Sequence, residues 1–82
     1  MTFQDILEYV KAEPFRPFRI QMAGGRTFDI RHPENIKVGL SSVHVFLDSE
    51  EDERVYERVV MLGFSLMESV EPIDASMAQD QK

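Results

Sequence analysis

The sequence predicts an α+β fold: an N-terminal helix, then about five short, mainly antiparallel strands forming a small sheet or a partly open barrel of SH3 or Sm type. Three observations carry this expectation. Helical spacing of apolar residues is confined to the first dozen positions. After it, apolar and polar residues alternate in several short windows, as half-buried strands require. Those windows are separated by turn residues and not by helical segments.

Phe3, Ile6, Leu7 and Val10 fall at i, i+3, i+4 and i+7, one apolar face of a helix. Thr2 can cap it, and Asp5 completes a short version of the capping box. Glu13-Pro14 ends it, because the residue before proline is pushed out of helical space. The polar face holds Gln4, Asp5 and Glu8 with only Lys11 basic, which suits a lid on a sheet better than a membrane-surface helix.

Pro14 and Pro17 hold the following connector extended. Phe18, Ile20 and Met22 alternate with Arg19 and Gln21, and Phe28 and Ile30 with Thr27 and Asp29. Gly24-Gly25 between them tolerates positive φ, so the pair reads as a hairpin. Arg31 to Asn35 form a bend. Ile36 and Val38 start a short strand, Gly39 to Ser42 turn the chain, and Val43, Val45 and Leu47 form the next strand. Asp48 to Glu53 is an acidic turn, and Val55 to Leu62, rich in β-branched residues, is a strand. Gly63-Phe64-Ser65 is a corner, and Leu66, Val70 and Ile73 belong to a last short segment closed by Pro72. Residues 1–73 are thus expected to form one domain, and the polar residues 74–82 a flexible tail.

With 82 residues and no cysteine, the core is small and no disulfide supports it, so self-association is a natural way to bury more apolar surface. The absence of cysteine excludes thiolate catalysis and Cys-ligated metal centres and fits a reducing cytoplasm. No leader and no membrane-length apolar run is read in the sequence, so a cytoplasmic location is expected. The net charge of −6 lies mainly in the second half and disfavours nonspecific nucleic-acid binding.

Arg16, Arg19, Arg26 and Arg31 form the one basic concentration, interleaved with Phe15, Phe18 and Phe28. Alternating arginine and aromatics suits single-stranded nucleic acid. The alternation also turns Phe18 and Phe28 inward and leaves the arginines to pair with the acidic second half. Phe15, between two prolines, is expected to staple the helix or contact a partner. His32 precedes Pro33 and Glu34 in the bend, and His44 shares a strand face with Ser42; neither has the flanking residues of a nucleophile elbow. The acidic turn lacks the glycine and ligand spacing of a calcium loop, and Gly24-Gly25 leads into a strand where a phosphate loop would lead into a helix. No catalytic, cofactor or metal site is expected.

Pro14-Phe15-Arg16-Pro17-Phe18-Arg19-Ile20, the turn Gly25-Arg26, and Ile30-Arg31-His32-Pro33-Glu34 resemble, in the same order, a family of small uncharacterised bacterial proteins. The resemblance covers roughly residues 3–73 and implies no particular activity. The order of elements is also similar to the Sm-like fold of bacterial Hfq and its relatives, which form rings by strand pairing and bind RNA. Met61-Leu62-Gly63 followed by Leu66 and Val70 resembles the second Sm motif, but Leu62 stands where that motif has arginine. The Lys-His pair is missing near this corner, and the Asp-x-x-x-Asn element is missing between Val43 and Ser49.

The leading expectation is a non-enzymatic assembly or protein-interaction module that associates with itself or with another protein. Its candidate contact residues are Phe15, Arg16, Arg19, Arg26, Arg31, His32 and Val60. The alternatives are an Sm-like RNA-binding protein using the arginines, and a small hydrolase or isomerase using His32 or His44 with Glu34.

Overall fold

A computed structural model of the chain describes residues 2–52 and 54–73. The expected polar tail at 74–82 lies outside the described residues. The helix α1 spans Phe3–Lys11, and its capping box is complete: the Thr2 side chain accepts from the Asp5 amide, and the Asp5 carboxylate accepts from the Thr2 amide. Those hydrogen bonds hold the Asp5 carboxyl below the usual carboxylate range.

Six strands follow in two antiparallel sheets. The first sheet has the order β2-β1-β6, from β1 (Phe18–Met22), β2 (Thr27–Ile30) and β6 (Met67–Pro72). The second has the order β3-β4-β5, from β3 (Ile36–Val38), β4 (Ser42–Asp48) and β5 (Tyr56–Gly63). The α+β class is thus as the sequence predicts, but the strands form two small sheets that do not close into a barrel. The last segment, read from the sequence as a short closing piece, is a full strand paired with β1 from Met22↔Met67 to Phe18↔Pro72.

The Gly-Gly hairpin is present: Gly24 and Gly25 have φ of 96° and 97°, and the Met22 amide donates to the Arg26 carbonyl at 2.8 Å. Short 3-10 turns at Pro33–Asn35 and Phe64–Leu66 carry the chain from one sheet to the other and back.

The inner faces of both sheets meet in one core. The first sheet contributes Phe18, Ile20, Met22, Phe28, Ile30 and Met67. The second contributes Ile36, Val43, Val45 and Leu62, and Ile6 of α1 and Phe64 complete it. Phe18, fully buried, lies between Tyr9 of α1 at 5.2 Å and Phe15 of the connector at 6.0 Å between ring centroids. The Tyr9 hydroxyl donates to the Val70 carbonyl at 3.4 Å, tying the helix to β6. Burying a side chain of this size contributes about 1.5–3 kcal/mol, so this aromatic cluster fixes the helix as a lid.

Candidate functional site

With their inner faces spent on one core, the two sheets differ in what they turn outward. The outer face of the first is polar and ion-paired. Arg19 sits opposite Asp29 on one side and Glu71 on the other. Its guanidinium donates to both Asp29 oxygens, at 2.7 and 3.1 Å. Arg31 adds a longer contact to the same carboxylate at 3.4 Å. The Arg19 hydrogen bonds hold the Asp29 carboxyl below the ordinary range, against a smaller opposing effect of burial. Gln21 donates to Glu68 at 3.4 Å; Arg26, off this face at the hairpin turn, lies over the buried Phe28 ring at 5.0 Å.

The arginines expected to form a basic patch are therefore engaged within the sheet. Arg16 stands apart, exposed in a shallow cleft with Glu8, Tyr9, Ala12 and Pro72. Phe15 is half-buried against Phe18.

The outer face of the second sheet is built differently. In β4, Val43 and Val45 point to the core, so His44, Phe46 and Asp48 point out. Their register partners in β5 are Met61, Val59 and Tyr56. The register shift between Leu47 and Asp48 brings Tyr56, and not Glu57, onto this face. The rings of Phe46 and Tyr56 meet edge to face at 5.4 Å. Met61 is 65% exposed, Tyr56 58% and Val59 43%, so an apolar stripe runs along the sheet in contact with water. Val60 points the other way and packs against the core, so its outward neighbours Val59 and Met61 are the sensitive probes of this face.

The stripe ends in a cleft of about 550 Å³ lined by His32, Glu34, Asn35, Phe46, Asp48, Arg54 and Tyr56. Asn35 is its anchor. Buried to 9% exposure, its amide donates to the Phe46 carbonyl at 3.3 Å and to the Asp48 carboxylate at 2.8 Å. These bonds clamp the Pro33–Asn35 turn to β4 and set Glu34 beside the aromatic pair. Arg54 donates to Asp52 at 3.0 Å, and that pairing holds the Asp52 carboxyl below its usual range. The fold thus brings His32 and Glu34 into one cleft, while His44 stands on the open sheet rung with Lys37 and Met61. The cleft lining holds no serine, threonine or lysine beside His32, and among the described residues no group of three or more His, Asp or Glu is placed to hold a metal ion. Asn35, Phe46 and Tyr56 are the site residues the sequence does not reveal; the polar Asn35 preceding a strand is their one local signal.

The edges of the sheets matter as well. β2 and β3 are edge strands of four and three residues, and β6 ends in Pro72 and carries Glu68 and Glu71. These are common protections against unwanted strand pairing. β5 has eight residues, the longest strand, and no proline, with charge only near its start at Glu57 and Arg58. Among the described residues no strand pairs along its other side.

No family model matches the chain, and no match is found among the curated proteins or the solved structures. What the chain does must therefore be read from its own surfaces.

Proposed function

We infer that this chain is a non-enzymatic assembly or protein-interaction module whose contact surface is the outer face of the second sheet with the adjoining β5 edge. The observation that carries the reading is the contrast between the faces. One is tiled with ion pairs that satisfy each other, and the other exposes Val59, Met61 and Tyr56 on an edge strand beside the half-buried Phe46. Apolar side chains held out by regular strand geometry cannot retreat into the core, so only a second surface removes them from water. Edge strands of this length are also templates for pairing with another chain.

The pairing of Arg19 and Arg31 with Asp29 favours this reading over RNA binding, because a phosphate would have to displace a carboxylate already in place. The testing experiment is the solution mass by light scattering over a wide concentration range, for wild type and for Val59→Lys. The reading expects a mass that rises with concentration and a Val59→Lys variant that stays monomeric with an unchanged circular dichroism spectrum. Association that Val59→Lys leaves untouched would refute the assignment of this face.

A further inference from the structure

The outer face of the second sheet is not uniform along its strands. One end carries Lys37 and His44 with Met61, three residues on one rung of β3, β4 and β5. The middle rung is Phe46 beside Val59. The far end carries Asp48 beside Tyr56, with Glu34 on the same cleft at the start of β3. Lys37 makes one end cationic, the middle is apolar, and Glu34 and Asp48, with Arg54 held by Asp52, leave the other end anionic, over about 13 Å at ~3.3 Å per residue.

We propose that the occupant of this face is a second copy of the chain, stacked face to face with its strands antiparallel about a two-fold axis through the Phe46–Val59 rung. This rests on the assignment of the face above and adds the partner and its geometry. Such an axis reverses the rungs while keeping each strand over its own counterpart. Over β3, Lys37 of each copy meets Glu34 of the other. Over β4, His44 meets Asp48, and over β5, Met61 meets Tyr56, a sulfur–aromatic contact. Phe46 and Val59 meet their own equivalents at the centre. A two-fold contact must be self-complementary; this face meets that condition in charge and in apolar character at once.

The net charge of −6 on each copy opposes association at long range. At physiological salt the screening length is about 8 Å, so the local pairing of opposite ends outweighs distant charge. The footprint is roughly 200 Å² per copy, from three strands about 4.8 Å apart and a length of about 13 Å. That is about a quarter of the area each partner gives to a standard interface, which makes the contact weak and concentration-dependent.

Charge exchange across the two-fold tests the geometry. Lys37 and Glu34 are both exposed, so reversing them leaves the core intact. Light scattering and sedimentation from micromolar to millimolar concentration would compare wild type, Lys37→Glu, Glu34→Lys, the double reversal, and an equimolar mixture of the two single variants. Each single reversal places like charges together twice per dimer and should weaken self-association roughly tenfold. The double reversal and the mixture should both restore it. A wild-type chain that stays monomeric to millimolar concentration overturns the proposal. Wild-type association that Val59→Lys abolishes but the charge variants leave unchanged also overturns it, while leaving the face itself in place.

Discussion

Replacing Asn35 with alanine removes the amide that clamps the Pro33–Asn35 turn onto β4. The side chain donates to a neutral backbone carbonyl at 3.3 Å and to a carboxylate at 2.8 Å. A hydrogen bond of the first kind contributes about 1 kcal/mol, and one to a charged group about 1.5–3 kcal/mol. Phe46 and Asp48 are only half-buried, so water replaces part of the loss when the amide is gone. The net cost should be about 2 kcal/mol. For a domain of this size that lowers the melting temperature by about 10 °C. Urea unfolding followed by circular dichroism gives the cleanest reading: the midpoint should fall while the slope with denaturant stays constant. Asn35→Asp should cost more at neutral pH, because it sets a second carboxylate against Asp48, and should recover part of the loss on acidification as one carboxyl takes up a proton. A loss below about 0.5 kcal/mol for Asn35→Ala would refute the claim that this side chain anchors the cleft.

Phe18→Ala should destabilise the fold by about 3–5 kcal/mol, and Phe15→Ala, half-buried against it, by clearly less; thermal melts of both would show the order. Gly24→Ala and Gly25→Ala should each cost about 1–2 kcal/mol although nothing lies within 4 Å of the added methyl, because the positive φ is the constraint. Asp29, held below its ordinary range by Arg19, contributes stability that is complete above the unfolded carboxyl value near ~3.9 and is lost as pH falls through the folded value. Arg19→Met should therefore flatten the acid limb of the stability profile, whereas an unchanged limb would show that this pair does not govern it. Met61→Lys, on an exposed strand position, should leave the melting temperature within a few degrees of wild type and abolish concentration-dependent mass.

Much of this fold is written in local pattern. The capping box at Thr2 and Asp5, the alternation of Phe18, Ile20 and Met22, and the Gly-Gly hairpin each depend on residues close in the chain, and each stands where the spacing places it. β6 was not legible in the same way. Only Met67 of its residues is buried, and Glu68, Glu71 and Pro72 interrupt any alternation. It is a strand because β1, almost fifty residues earlier, offers it an edge. Phe64 reads as part of a corner next to Gly63, yet it is a core residue, because the turn between the sheets drives its ring inward.

The candidate site shows the limit most sharply. From Val59 to Leu62 the β5 sequence is apolar at both parities, so composition says strand without saying which residues face out. Pairing with β4 decides it: Leu62 follows Val43 and Val60 follows Val45 into the core, and Val59 and Met61 are turned to solvent. The sequence also joins His32 to Glu34 as neighbours but holds no sign that Phe46, Asp48 and Tyr56 close the same cleft. That proximity is made by the β3–β4 register and by the Asn35 clamp.

The most direct test of the central claim is a concentration series of amide proton–nitrogen spectra on the uniformly labelled chain. Association through the outer face of the second sheet makes shifts grow with concentration at residues 34–37, 44–48 and 56–61 and leaves the outer face of the first sheet flat. Shifts centred on Arg19, Asp29 and Glu71, or none up to millimolar concentration, would contradict it.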